Sequence, residues 1–281
     1  MVKHIIPNNL REALNFLKEG NTILMGGGTD LMIQKRNTAG TPPRFDKNVL
    51  YLANLKELNY IKVVSKEICI GAVTPLETIL ESKMTPSLLK KVIGEMASPG
   101  IRHTATLAGN IANASPAGDG VAVLYALDAR LVLASAHEER TIPIEDFIVG
   151  VRKTILKPDE LIKEIRIPKD TFTQEKWVKV GGRKADAISK VSFVGAVRIE
   201  DHKVQDLRMA FGAIAPTVIR SRKLEKTLQN RHVSEIKAEL TNILRHFDTL
   251  FSPIDDQRSN KDYRRQVASN LARDFILGLE E

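Results

Sequence analysis

The sequence is short of cysteine, of aromatics and of long apolar runs, and each shortage excludes something. Cys69 is its single cysteine. An intrachain disulfide, a cysteine-ligated iron–sulfur cluster and a multi-cysteine zinc site therefore cannot be assembled from this chain alone. The histidines His4, His103, His137, His202, His232 and His246 follow no ligand-like spacing. The longest clean apolar run, Val121 to Leu127, falls far short of the roughly 20 residues that span a bilayer. Pro7 interrupts the N-terminal stretch, which turns polar with no small-residue cleavage site. No secretory signal is expected, and the cytoplasm is the default address. Aromatics make up 5% of residues and do not interleave with basic clusters. Nor is charge of one sign gathered anywhere: residues 1–170 hold 22 basic and 19 acidic residues, and 171–281 hold 20 and 15. A net charge of +8 spread in this way argues against a nucleic-acid binder. It suits a partner surface or an anionic cofactor.

What is present is ordinary globular material, 43% hydrophobic and 27% charged over 281 residues, enough for two domains. Leu10, Ala13, Leu14 and Leu17 mark a helix capped by Asn8 or Asn9 and closed by Gly20. Thr22–Met25 reads as a buried strand. Residues 60–64 and 68–72 read as two strands joined by a turn. Thr74-Pro75-Leu76-Glu77 has the form of a capping box with proline at the first helical position. A helix is expected over 87–97, mixed helix and strand over 121–134, and short strands broken by Pro143, Pro158 and Pro168. From about residue 171 two strands, 190–199 and 204–214, and two helices, 233–247 and 260–279, predict an α+β unit.

Two segments carry chemistry. Gly26-Gly27-Gly28-Thr29-Asp30 directly follows a strand, and consecutive glycines let backbone N–H groups approach a ligand without Cβ obstruction. It is either an anion-binding loop or a tight turn. It matches neither GxxxxGK[ST] nor a dinucleotide fingerprint, whose third glycine is replaced by Leu31. The second segment is Thr106-Leu107-Ala108-Gly109-Asn110, followed by Ala114 to Asp119. Thr106 and Asn110 can donate to phosphate oxygens, whereas Asp119 is better suited to a sugar hydroxyl. Ordinary capping chemistry is the alternative. Two such loops suggest one extended phosphorylated ligand. Asp255-Asp256 reads as a capping pair for Arg264 or Arg265 rather than an acid/base site, and His103 as a turn residue.

The sequence resembles the FAD-binding medium subunit of the molybdenum hydroxylases over essentially its whole length. The resemblance rests on LMGGGTDL (24–31), IGAVTPLETI (70–79), Arg102 through TLAGNIANASPAGD (106–119), DELIKEIRIP (159–168), KVGGRKADAISKVS (179–192), RMAFGAIAPTVIRS (208–221) and PIDDQRSNKDYRR (253–265). It implies an α+β chain: a two-subdomain FAD-binding fold of the vanillyl-alcohol-oxidase type over 1–170, divided near 55, and a C-terminal antiparallel sheet with helices over 171–281. It further implies that Leu24, Met25, Gly26, Gly27, Gly28, Thr29, Asp30 and Leu31 wrap the FAD pyrophosphate and that Thr106, Gly109 and Asn110 close on it. Asp119 falls near the ribityl and ribose, Leu161 or Ile162 against the isoalloxazine, and Lys179 at the pyrimidine edge. Ala108 departs from the usual family glycine. No catalytic or metal-ligating residue is expected on this chain. The implied partners are an iron–sulfur small subunit with [2Fe–2S] clusters and a large subunit with the molybdenum cofactor, the electrons passing through FAD to NAD or another acceptor. A self-contained FAD-dependent oxidase or reductase of the same fold is the alternative, and a basic binding module without redox chemistry is a third reading.

Overall fold

The computed structural model describes residues 2–280. In chain order it begins with β1 (His4–Ile5), α1 (Leu10–Leu17), β2 (Thr22–Met25), α2 (Leu31–Gln34), β3 (Asn48–Tyr51), β4 (Ile61–Val64) and β5 (Glu67–Gly71). Five helices follow: α3 (Leu76–Glu81), α4 (Ser87–Gly94), α5 (Pro99–Arg102), α6 (Leu107–Ala112) and α7 (Asp119–Ala126). Strands return with β6 (Arg130–Ala134), β7 (Glu139–Pro143), β8 (Ile148–Gly150), β9 (Lys153–Thr154), β10 (Leu161–Pro168), β11 (Gln174–Val180), β12 (Val191–Glu200), β13 (Lys203–Gly212) and β14 (Ile219–Arg220). The chain closes on α8 (Arg222–Leu228), α9 (Val233–Ala238), α10 (Leu240–Leu250) and α11 (Lys261–Leu277). No helix among the described residues is long and apolar enough to cross a membrane.

These elements form two compact units. The first takes residues up to Thr85, Ala97–Asn113 and Asp128–Pro168; the second takes Pro86–Met96, Ala114–Leu127 and the chain from Lys169 onward. In the first unit a parallel sheet β1-β3-β2 packs against α1. Asn9 caps α1 by accepting from the Glu12 N–H at 2.9 Å, and Ala13 and Leu17 enter a core with Leu50, Leu55, Leu58 and Leu161. A second sheet, β4-β5-β10-β6-β7, is antiparallel throughout. Its one face is apolar, through Ile68, Ile70, Ile165, Ile167, Leu131 and Leu133, all buried. Alternation puts Glu164, Arg166 and Cys69 on the other face. There Tyr60 donates to Glu164 at 2.6 Å and Arg166 pairs with it at 2.6 Å. Burial alone would raise the Glu164 carboxyl, but those two donors outweigh it and hold it below the ordinary value. The Cys69 thiol is pushed up by burial and by the Glu164 charge.

The second unit is built on the antiparallel meander β11-β12-β13-β14. One face packs against α8–α11 around the rings of Phe193, Phe211, Phe247, Phe251 and Phe275, with centroids 4.9–5.6 Å apart along the chain of contacts. Five of the nine phenylalanines are thus gathered here. The other face carries α7 and α4. All eight residues of α7 are buried, which is why its sequence is apolar all round. Its C-terminal carbonyls are met by cations: Arg208 donates to the Ala126 carbonyl at 3.1 Å, and Arg220 to that of Tyr125. This placement also complements the helix dipole.

Two local expectations change. Thr74 does not cap α3; its hydroxyl is engaged with the backbone of Tyr60, and Glu77 pairs with Arg102 at 2.7 Å instead. The expected helix over 233–247 is two helices, α9 and α10, meeting at Glu239. At α11 the N-cap is Asn260, and Asp255 accepts from the first helical N–H, that of Lys261, at 2.6 Å; Asp256 accepts from the N–H groups of Arg258 and Ser259 in the turn before the helix and pairs with Arg264 at 2.8 Å.

Gly195 lies at the centre of β12 with the Phe275 ring directly above it; a Cβ there would sit 2.8 Å from the ring. Gly195→Ala is therefore expected to cost about 1–3 kcal/mol by overpacking, read as a lower urea midpoint at unchanged slope.

Candidate functional site

In the first unit β2 delivers the chain into the glycine run beside the 104–106 segment. Gly28 has φ +70°, a conformation that favours glycine. At Gly27 the requirement is stricter, since a Cβ there would lie 2.0 Å from the Thr104 carbonyl oxygen and 2.9 Å from the Ala105 Cα. Gly26 faces the Thr106 hydroxyl, which a Cβ would approach to 3.3 Å. Among the described residues, the N–H groups of Gly26, Gly27, Gly28 and Thr29 find no acceptor within the chain. Four donors so left in a half-buried turn form a concavity suited to an anion.

The second loop is held in place by the α3 start. The Leu76 N–H donates to the Ala105 carbonyl at 2.8 Å, and Thr106 bridges to Pro75. Thr106 is the N-cap of α6, its hydroxyl accepting from the Gly109 N–H at 3.0 Å. That hydroxyl keeps its own proton to donate. Ala108 is helical and buried, so its methyl obstructs no positive-φ turn. Asn110 has a buried side-chain oxygen with no partner. That oxygen is an acceptor and calls for a donor such as a ligand hydroxyl or ring N–H, while the amide nitrogen can donate to a phosphate oxygen; together with the N–H groups at 26–29 the donor set fits a phosphorylated ligand that also carries hydroxyls.

The loops are tied together at their far ends. Asp30 accepts from Gln34 and, at 3.4 Å, from Arg152. Arg152 also donates to the Asn113 side-chain oxygen at 2.6 Å, as does Gln34 at 3.0 Å. Sequence reasoning missed Gln34, Asn113 and Arg152. The i,i+4 spacing of Asp30 and Gln34 was the only available signal. Of the two aliphatic candidates, Leu161 is committed to the α1–β3 core, whereas Ile162 lies on the opposite face of β10. His103 is exposed at the end of α5.

The second unit holds Asp119 and Lys179 together. Lys179 on β11 pairs with Asp119 at the start of α7 at 2.7 Å, both side chains 7% exposed. Lys179 also donates to the Glu95 carbonyl at 2.9 Å, and Ser189 donates to Asp119 at 2.6 Å. Ser192 lies opposite Lys179 in the sheet, its hydroxyl buried and unpaired. Burial raises the Asp119 carboxyl; Lys179 and Ser189 pull it back without cancelling the rise.

The comparisons with known proteins bear on these two constellations. Residues 1–170 match the FAD binding domain in molybdopterin dehydrogenase, and 176–279 match the CO dehydrogenase flavoprotein C-terminal domain. The chain belongs to this FAD-binding medium-subunit family. The glyceraldehyde dehydrogenase medium chain of Sulfolobus acidocaldarius is 28% identical over 95% of this chain and 94% of its own length. The nicotinate dehydrogenase FAD-subunit of Eubacterium barkeri is 33% identical over 69% of this chain and 68% of its own. Reconstituted CO dehydrogenase from Oligotropha carboxidovorans contains a chain of the same fold, with TM-score 0.86 and 22% identity over 98% of this chain and 96% of that one. The protein is thus an oxidoreductase component with an FAD-binding domain, an α+β member of the xanthine dehydrogenase-like medium subunits.

A raised carboxyl pKa works against folding as pH climbs, because the folded chain keeps a proton that the unfolded chain has released. Lys179→Met removes the chief influence opposing that rise. The variant should lose about 3–5 kcal/mol at neutral pH, the loss shrinking toward pH 4, in urea titrations run across that range.

Proposed function

We propose that this medium-subunit protein binds FAD at the loops 24–31 and 106–110 and serves as the electron-transfer flavoprotein of a heteromeric molybdenum-dependent hydroxylase or dehydrogenase. The observation that carries the reading is the set of free N–H groups at 26–29, held against 104–106 inside the region matched by the FAD-binding family. When bound, FAD supplies two-electron chemistry that can be fed by single electrons and discharged as a hydride. In this reading the glycine loop binds the pyrophosphate through backbone donors, with Thr106 and Asn110 adding side-chain donors. Ile162 offers the aliphatic surface for the isoalloxazine. Lys179 holds a positive charge for the pyrimidine edge, and Asp119 with Ser189 fixes where its ammonium points. Residues 1–170 form the cofactor domain and 171–281 its C-terminal companion.

The partners come with the family reading: with Cys69 alone the chain cannot hold a cysteine-ligated cluster, so in this reading its electrons come from a small subunit with [2Fe–2S] clusters, beside a large subunit with the molybdenum cofactor. NAD or another acceptor takes the electrons onward in this reading.

The test is a titration of the purified full chain with FAD, FMN and riboflavin, followed by a pull-down from its source with identification of the co-purifying chains. FAD should bind more tightly than FMN, which lacks its adenosine monophosphate part and with it the diphosphate bridge, and more tightly than riboflavin, which lacks both phosphates as well. Gly27→Ala should lower FAD affinity at least about tenfold, because the loop must leave Thr104 to admit a methyl group. A chain that takes up no flavin overturns the reading. FAD uptake without iron–sulfur and molybdenum partners leaves a self-contained flavoenzyme.

A further inference from the structure

The two loops assigned to the diphosphate, 24–31 and 104–113, carry a single charged side chain, and it is the acidic Asp30. A carboxylate beside a dianionic diphosphate is unfavourable unless something neutralises it. The structure supplies one cation at that point. Arg152 sits at the tip of the β8–β9 hairpin with φ +54°, a left-handed conformation unusual for arginine. From there its guanidinium reaches Asp30 at 3.4 Å and the Asn113 side-chain oxygen at 2.6 Å. Gln34 shares both acceptors. Asp30 closes the glycine loop and Asn113 is the C-cap of α6, so one guanidinium joins the trailing ends of both segments.

Stability alone does not account for this arrangement. Both partners are about half exposed, 51% and 50%, where ion pairs contribute little to folding. Resting on the FAD reading above, we propose that Arg152 is a positioning residue for the flavin nucleotide. It neutralises Asp30 and latches the glycine loop to α6, so that the donors of both segments present one cradle to the diphosphate.

The experiment compares FAD affinity, by recovery of flavin fluorescence on dissociation, with the melting temperature of the cofactor-free full chain. Wild type, Arg152→Met, Arg152→Lys and the double variant Arg152→Met/Asp30→Asn are measured. Arg152→Met should weaken FAD binding about tenfold while the cofactor-free melting temperature stays put. Arg152→Lys should keep most of the affinity, and the double variant should regain most of what Arg152→Met loses. Arg152→Met binding FAD as tightly as wild type would overturn the latch and leave the cofactor reading intact. A double variant no better than Arg152→Met, or an affinity loss matched by a fall in melting temperature in both, would also overturn it. Wild type taking up no FAD would overturn the cofactor reading beneath it.

Discussion

At Gly27 the chain passes so close to Thr104 and Ala105 that one methyl group would overlap the Thr104 carbonyl oxygen. This approach of backbone to backbone brings a strand end near residue 26 against a helix start near residue 106. Glycine permits it, and the bridges from Leu76 and Pro75 hold the second segment still while the first leans on it. The donors at 26–29 are left free as a result, because the loop's packing is satisfied by van der Waals contact rather than by hydrogen bonding. The site is therefore defined by main-chain shape, with side chains completing it at Thr106 and Asn110.

The second unit works by a different principle. Its buried Lys179–Asp119 pair lies in the layer between the meander and α7, with α4 supplying a carbonyl to the same ammonium. Pairs of this kind rarely repay their desolvation in stability, so their value lies in placing a charge at a definite point. The sheet supports that role. The phenylalanine cluster fills its opposite face, and the arginines at the C-terminal end of α7 hold the helix whose N-terminal end presents Asp119.

Much of this was legible in the sequence where a residue's role is local. The α1 cap at Asn9, the strand running into the glycines, and the two long strands of the C-terminal half all follow from spacing and turn chemistry. The failures share one cause, competition from a distant partner. Thr74 and Glu77 form a textually sound capping box, yet Tyr60 and Arg102 claim them first. Asp119 invites a donor on charge grounds, and the sequence does not reveal that Lys179 and Ser189 supply two of them. Gln34, Asn113 and Arg152 meet only because three separate elements converge, and no one-dimensional pattern signals that. Leu161 and Ile162 are equivalent in sequence; only the face each takes on β10 separates them.

The lone thiol has a consequence of its own. Cys69 lies in the middle of a sheet, closed off from solvent, beside a carboxylate that disfavours its thiolate. Oxidants and disulfides react with the thiolate form. At this position the chain therefore presents no thiolate for an oxidant to attack. The same enclosure keeps two copies of the chain from joining through this thiol in air, a protection that comes from the β5–β10 packing rather than from any reducing partner.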